Sequence, residues 1–401
     1  MFDAGALSGL RVLDLADYRA HLCGRLLADM GADVIKVEPP TGDSARRIGP
    51  YVNDTPHPDR SLFFWFYNLN KRSLTLDLMD PEGREILLAL AKSADLIIES
   101  SQAGKLDVLG LDWSTLHGIN PALILLSITP FGQTGPYRNY QADDTVLTAL
   151  SGMLYVNGSP GQRPVRPLGL QAYHSAAYYG AIAVMCALFA RERQGEGQWI
   201  DVSMQEAATA AVEHVAGSFF GERRIEPRRG TLHWSRYFRV GKCRDGYILH
   251  CTLGDWTSLV EWVAADGKAR DLTAPEWHDV LYRAEHAPHL FDVLDDWVRD
   301  YNRDELVERA QALRLPYATV RAPEELFDDE QLKARGYFVE VEHPELGRTF
   351  RYPGAPYQFS GTPWRVYRRP PLVGEHTAEI LRNEVGFTPD RVRALARAGI
   401  I

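Results

Sequence analysis

The chain has 401 residues, of which 45% are hydrophobic and 24% charged, a composition that excludes wholesale disorder, a collagen-like fibre and a small disulfide scaffold. Its 44 basic and 53 acidic side chains leave a net charge of −9, so a basic nucleic-acid-binding surface is not expected. The length predicts two or three domains.

In chain order, LRVLDL (10–15) reads as a short buried strand. RAHLCGRLLADM (19–30) has helical spacing and stops at Gly31, and DVIKVE (33–38) is the next strand. Strand, helix and strand make a βαβ unit. The pattern recurs: a strand at 74–78, a helix opened by Asp80-Pro81 and running to about 93, then strands at 95–99 and 122–128. Runs that are apolar on both faces suit a parallel sheet covered by helices. After the loop PFGQTGPYRNY (130–140) come a helix at 143–153, a second loop (157–167), a long helix at 173–193, a strand at 199–203 and one helix at 204–219. The basic, aromatic stretch 223–239 reads as a connector. A smaller α+β region follows, with a strand at 245–252 and helices near 254–264, 288–300 and 303–313. Strand- and loop-forming segments then return, ending in a terminal helix.

Cys23, Cys186, Cys243 and Cys251 lack the spacing of a metal knuckle and suit reduced thiols in a cytoplasmic protein. The first residues are acidic where a secretion signal is basic, and the apolar stretch 175–190 is read as a buried helix, so no membrane partner is expected. There is no GxGxxG after the first strand, no P-loop, no HExxH and no GxSxG.

What remains is a longer-range order of motifs: LSGLRVLDL, GADVIKVEPPTGD (31–43), NKRSLTLDL (70–78), DVLGLDW (107–113), GQTGPY (132–137), RERQGEGQWIDVSMQEA (191–207) and PLVGEHT (371–377). In this order, over roughly residues 7–385, the chain resembles the class III CoA-transferase family. The resemblance implies an α/β fold: a Rossmann-like large domain with a parallel sheet, formed by 1–222 and 326–401, and a small α+β domain at 223–325 that includes the linker. It also implies an interlocked dimer. Acyl-CoA and a carboxylic acid would be the substrates, with no covalently bound cofactor and no metal. In the transferases an aspartate attacks the thioester, and anhydride and enzyme-thioester intermediates follow.

The family places that aspartate nine residues before the Ile-Gly-Ile-Leu-like stretch, which here begins at Ile182, so Tyr173 takes its position, between Ala172 and His174. No Asp or Glu lies between Asp144 and Glu192. A phenol with an ordinary pKa near 10 is a poor replacement. Other positions depart too: Ala20-His21 stand for a Gly-Pro, Ser100 opens the segment that replaces an Asn-Phe-x-Pro-Gly turn, and Val108 stands for an arginine near the CoA phosphates. The CoA-pocket equivalents carried over are Tyr18, Arg19, Ala20, Lys71, Arg72, Ser100 and Met204. Of these, Lys71 and Arg72 are the best retained candidates for a nucleotide contact.

The expected function is therefore that of a subunit of a class III CoA-transferase, inactive alone and paired with a homologous catalytic chain in a heterodimer or heterotetramer. Benzylsuccinate metabolism is the expected setting, by likeness to two-chain members. The alternatives are a racemase- or lyase-like enzyme using His174 with Asp144 or Tyr173, and a non-enzymatic acyl-CoA binder. His174 at a helix start, Asp143-Asp144 as helix caps, and Arg191 and Arg193 at a helix C-terminus all have structural readings. So does the cluster Arg223, Arg224, Arg228 and Arg229. The aromatics Trp65, Tyr67 and Tyr173 are expected to face the pocket and to suit a bulky acyl group, or else to form core.

Overall fold

A computed structural model describes residues 5–401. The chain divides into two compact units. One combines the residues up to Met153 with Pro167–Gly217 and Arg335–Ile401; the other combines Leu154–Arg166 with Ser218–Ala334.

In chain order the elements up to the second unit are β1 (Arg11–Asp14), α1 (His21–Asp29), β2 (Asp33–Glu38), α2 (Leu62–Asn68), β3 (Arg72–Thr75), α3 (Pro81–Ala91), β4 (Leu96–Glu99), α4 (Lys105–Val108), α5 (Trp113–Ile119), β5 (Ile124–Thr129), α6 (Asp144–Leu150), α7 (Met153–Val156), α8 (Gln171–Gln194), β6 (Trp199–Ser203), α9 (Met204–Ala210) and α10 (Glu213–Glu222). The six strands form one sheet in the order β3-β2-β1-β4-β5-β6, and every neighbouring pair is parallel. Side chains alternate between its faces. Val12, Val34, Ile98, Leu126 and Ile128 join a core with α1 and α8. Leu13, Ile35, Ile97 and Leu125 join a second core under α3 and α5.

Local chemistry sets the helix ends. Asp80 accepts from Glu82 N at 2.8 Å, and Pro81 follows it in the first turn. Gly31 turns the chain out of α1 at φ +99°, a conformation a side chain would strain. Gly24 is required for a different reason: a Cβ there would lie 2.4 Å from Asp14 Oδ2.

In this part of the chain, expectations for one strand and two helices need correction. The third strand lies two residues earlier than 74–78, because pairing with β2 sets Ile35 opposite Arg72 and Glu38 opposite Thr75. The single helix at 204–219 is two, α9 and α10, broken between Ala210 and Glu213. And α8 is not a buried helix. Its small residues Ala172, Ala176, Ala177, Gly180 and Ala187 are buried, but Tyr178, Ile182, Met185 and Phe189 stand on an exposed face at 52%, 60%, 41% and 58%. By length and composition α8 could pass for a membrane span; its small side belongs to the core shared with α1 and β5.

The chain's last part returns to the larger unit. After α15 (Glu330–Ala334) come the antiparallel pair β10 (Phe338–His343) and β11 (Arg348–Pro353), then α16 (Thr377–Asn383) and α17 (Pro389–Arg397), so the expected terminal helix is two. Arg25 Nη2 donates to Pro353 O at 3.0 Å, Asn70 Oδ1 accepts from Tyr367 N at 2.6 Å, and Arg72 Nη1 reaches Glu384 Oε1 at 2.7 Å.

The smaller unit carries a three-stranded antiparallel sheet, β7 (Phe238–Lys242), β8 (Tyr247–Cys251) and β9 (Ala318–Thr319). Its helices are α11 (Trp256–Ala265), α12 (Val280–Glu285), α13 (Ala287–Val298) and α14 (Arg303–Ala312). Its own core holds Trp262, Trp277, Phe291 and Trp297. Arg224 and Arg229 turn onto Glu226 at 2.8 and 2.9 Å, and Arg228 donates to Tyr155 O at 2.8 Å. Arg223 lies over the Phe219 ring. This arginine cluster is an internal tie of the connector.

Candidate active site

The strand order reverses direction between β1 and β4, and in open parallel sheets the carboxyl edge at such a point is where ligands bind. At that edge the turn after β1 folds onto the end of β4. Asp17 N donates to Ser100 Oγ, and Ser100 Oγ donates to Asp17 Oδ1, each at 2.9 Å. Arg19 Nη2 donates to Asp17 Oδ2 at 2.7 Å and to Ser100 O at 2.6 Å. Arg19 and Ser100 are thereby brought together, with the Arg19 guanidinium engaged by Asp17.

Ala20 is fully buried, and His21 is enclosed behind it. His21 Nδ1 lies 3.2 Å from Asn68 Nδ2, and Nε2 lies 3.4 Å from Asp43 Oδ2. Lys71 sits in the same enclosed charge network. Its Nζ donates to Asp14 Oδ2 at 2.7 Å, His21 O at 2.9 Å and Asn68 Oδ1 at 3.0 Å, which uses all three ammonium hydrogens. Burial opposes the Asp14 charge, but Lys71, Lys36 and His21 hold its carboxylate below the ordinary range. Arg72 is forked onto Asp33 at 2.9 and 2.5 Å, at the opposite, amino edge of β2. Both are engaged within the chain: Lys71 uses its three donors on Asp14, His21 and Asn68, and Arg72 holds Asp33 and Glu384. Met204 lies wholly in the core at the start of α9.

The first turn of α8 carries Tyr173 and His174. Helix starts leave backbone N–H groups without partners, and here Asp144, the first residue of α6, supplies the acceptor. Its Oδ1 takes Ala172 N at 2.9 Å and Tyr173 N at 3.2 Å. Asp143 caps α6 itself, accepting from Val146 N at 2.9 Å. Tyr173 is 2% exposed, and its ring meets Tyr18 edge-on at 5.9 Å. Its hydroxyl has no hydrogen-bond partner among the described residues, and burial pushes the phenol far above its ordinary pKa. His174 Nε2 is 2.7 Å from Tyr67 Oη. Burial lowers the His174 pKa and pushes Tyr67 up to about 12, so this pair is neutral near pH 7. Phe63 completes the group, 4.9 Å from Tyr67 and 6.5 Å from Tyr18.

Trp65 is not part of it. It turns to the other side of α2, stacks on His343 at 4.0 Å and donates to Asp59 O at 3.1 Å. Arg191 is tied to Asp95 Oδ1 at 2.9 Å and Ala122 O at 3.0 Å, and Arg193 lies over the Phe189 ring.

Sequence reasoning missed Glu99, the last residue of β4. It is 2% exposed at the same switch point, and burial raises its carboxyl pKa to about 7. The available signal was an acid closing the otherwise apolar run LIIE.

The sequence model of CoA-transferase family III matches residues 7–377. The chain belongs to this family. Among family III relatives, the succinyl-CoA:(R)-benzylsuccinate CoA-transferase subunit BbsE of Thauera aromatica is 36% identical, with 98% of each chain covered. The succinyl-CoA–L-malate CoA-transferase beta subunit of Chloroflexus aurantiacus is 31% identical, again with 98% of each chain covered. A crystal structure of a CaiB/BaiF family protein from Brucella suis superposes with a TM-score of 0.85 at 29% identity, covering 95% of this chain and all of the other.

Proposed function

We propose that this chain is the non-catalytic subunit of a two-chain family III CoA-transferase that moves CoA between an acyl-CoA and a carboxylic acid. The observation that carries this reading is Tyr173: a buried, neutral phenol, far above its ordinary pKa, at the helix start where the resemblance places the nucleophilic aspartate. The nearby carboxylate has a structural role: Asp144 Oδ1 accepts from two backbone N–H groups at the start of α8. A phenol would give an aryl ester in place of an anhydride, and the thioester steps would not follow.

Tyr178, Ile182, Met185 and Phe189 support a partner chain. Their spacing of four, three and four makes one apolar stripe along an exposed helix face. BbsE and both malate CoA-transferase chains are named as subunits. The occupant of the stripe in this proposal is a paralogue bearing the aspartate, in an interlocked heterodimer or a heterotetramer of the cytoplasm. Succinyl-CoA is the proposed donor and (R)-benzylsuccinate the proposed acceptor.

The test is co-expression. The chain should show no CoA transfer alone and gain it with a paralogue that has Asp at the Tyr173 position. Turnover by the isolated chain overturns the proposal. In the active complex, His174→Ala here should leave kcat within about twofold, whereas a racemase-like role for His174 would cost on the order of 100-fold or more.

A further inference from the structure

Glu99 lies on the sheet face opposite α8 and opens onto a cavity of about 370 Å³ whose walls include Trp113, Ser127, Gln133 and Trp199. The carboxylate is buried, and among the described residues no lysine or arginine forms an ion pair with it. Its neighbours on every side are known. From the β1–α1 turn comes Arg19, already held by Asp17. From α4 come Lys105 and Asp107, and at the start of α5 Asp112, which is occupied in capping Thr115 N. From β5 comes the Ser127 hydroxyl, which accepts from Trp199 Nε1 at 3.0 Å and hydrogen-bonds the Glu99 carboxylate. From β6 comes Asp201, engaged by Gln133 N at 2.9 Å.

The polar contacts of Glu99 form a relay. Oε2 accepts from Ser101 N at 2.7 Å, and Oε1 accepts from Gln133 Nε2 at 3.3 Å. The other end of the same amide, Gln133 Oε1, accepts from Gly104 N at 3.3 Å. One ionised carboxylate thus holds both ends of the segment 101–104, the near end directly and the far end through Gln133.

We propose that Glu99 is a proton-operated latch: ionised, it ties segment 101–104 to the loop after β5, and on taking up a proton it releases the Gly104 end. A proton on Oε1 makes that oxygen a donor and a weaker acceptor toward Gln133. The Gln133 amide then turns its oxygen toward the new O–H, its NH₂ faces Gly104 N–H, and two donors oppose each other. Burial outweighs the hydrogen bonds from Ser127 and Ser101 and the charge of Arg19, and holds the Glu99 proton near neutrality, at about 7. The cavity gives that proton a path from water. Ser100 joins the latch to the Asp17–Arg19 corner, so release reaches the carboxyl edge of the sheet. None of this depends on whether the chain is catalytic.

Amide hydrogen exchange resolved to single residues on the full chain, corrected for intrinsic rates between pH 6 and 8, tests the latch. Gly104 protection should rise about tenfold across that range, with a midpoint near neutrality, and Glu99→Gln should abolish the inflection. A flat wild-type profile, or an inflection that survives Glu99→Gln, overturns the proposal. Gln133→Ala guards against a Glu99 variant that fails to fold. It leaves the carboxyl in place and should remove the inflection at Gly104 while keeping it at Ser101; an unchanged Gly104 profile in Gln133→Ala overturns the relay.

Discussion

The larger unit has two buried polar centres built on opposite terms. Around Lys71, each charge meets its opposite: Asp14 pairs with Lys71 at 2.7 Å, Asp43 with Lys36 at 3.0 Å and Glu38 with Arg46 at 2.7 Å. At the start of α8, rings stand where charges could, and among the described residues the Tyr173 hydroxyl has no partner at hydrogen-bond distance. The first centre cannot change one residue at a time, because losing one partner strands a buried charge. The second can, since no other group depends on that hydroxyl. This is a physical reason why the scaffold tolerates a change at Tyr173 more readily than one at Lys71.

Four variants break or sharpen that contrast. Lys71→Met should cost about 3–5 kcal/mol in urea unfolding, because Asp14 is left charged and enclosed. Adding Asp14→Leu should recover part of the loss. If Lys71→Met costs under about 1 kcal/mol, the first centre is not the interlocked network its geometry describes.

Glu99→Gln should show a pH-dependent effect of up to about 3 kcal/mol. The sign follows from a raised carboxyl pKa. The folded state binds the proton more tightly than the unfolded state, so wild-type stability falls as pH rises from the ordinary 4.5 through about 7. The variant lacks that loss, so it should be the more stable protein at pH 8 and the gap should close below pH 5. Thermal unfolding at both pH values checks it.

Asp144→Ala removes the acceptor of two α8 N–H groups and should cost about 1–3 kcal/mol in the same assay. Tyr173→Phe should have the smallest effect, within about 0.5 kcal/mol of wild type or slightly stabilising, since it deletes a buried hydroxyl that makes no hydrogen bond. A loss of more than about 1 kcal/mol would show that the hydroxyl has a partner after all, and would bring the two centres closer in kind.

The parts of the fold that rest on local pattern were legible in the sequence. The apolar runs at 33–38 and 199–203 gave strand bounds that match β2 and β6 residue for residue. Gly31 and Asp80-Pro81 marked helix ends by their own chemistry. The helix α2 was missed because LFFWFYN carries no polar alternation to reveal a face; its start is set by Ser61, whose Oγ accepts from Phe64 N at 3.1 Å. Its two faces diverge completely, with Trp65 against His343 and Tyr67 against His174. At the site, the absence of any acid between Asp144 and Glu192 could be read by position. What could not be seen were pairings across distance. The cap from Asp144 to α8 spans 28 residues, and the link from Glu99 to Gln133 spans 34. The exposed stripe of α8 also escaped, because an apolar helix reads alike whether a sheet or another chain is to cover it.

The return of the chain's end to its beginning has a consequence for synthesis. Arg25, Asn70 and Arg72 emerge early, yet their partners Pro353, Tyr367 and Glu384 lie about 300 residues further on. On the ribosome, the smaller unit is therefore complete while the parallel sheet still waits for its closing contacts. The larger unit is the last to finish, and a chain truncated before residue 353 would leave it open at every one of those ties.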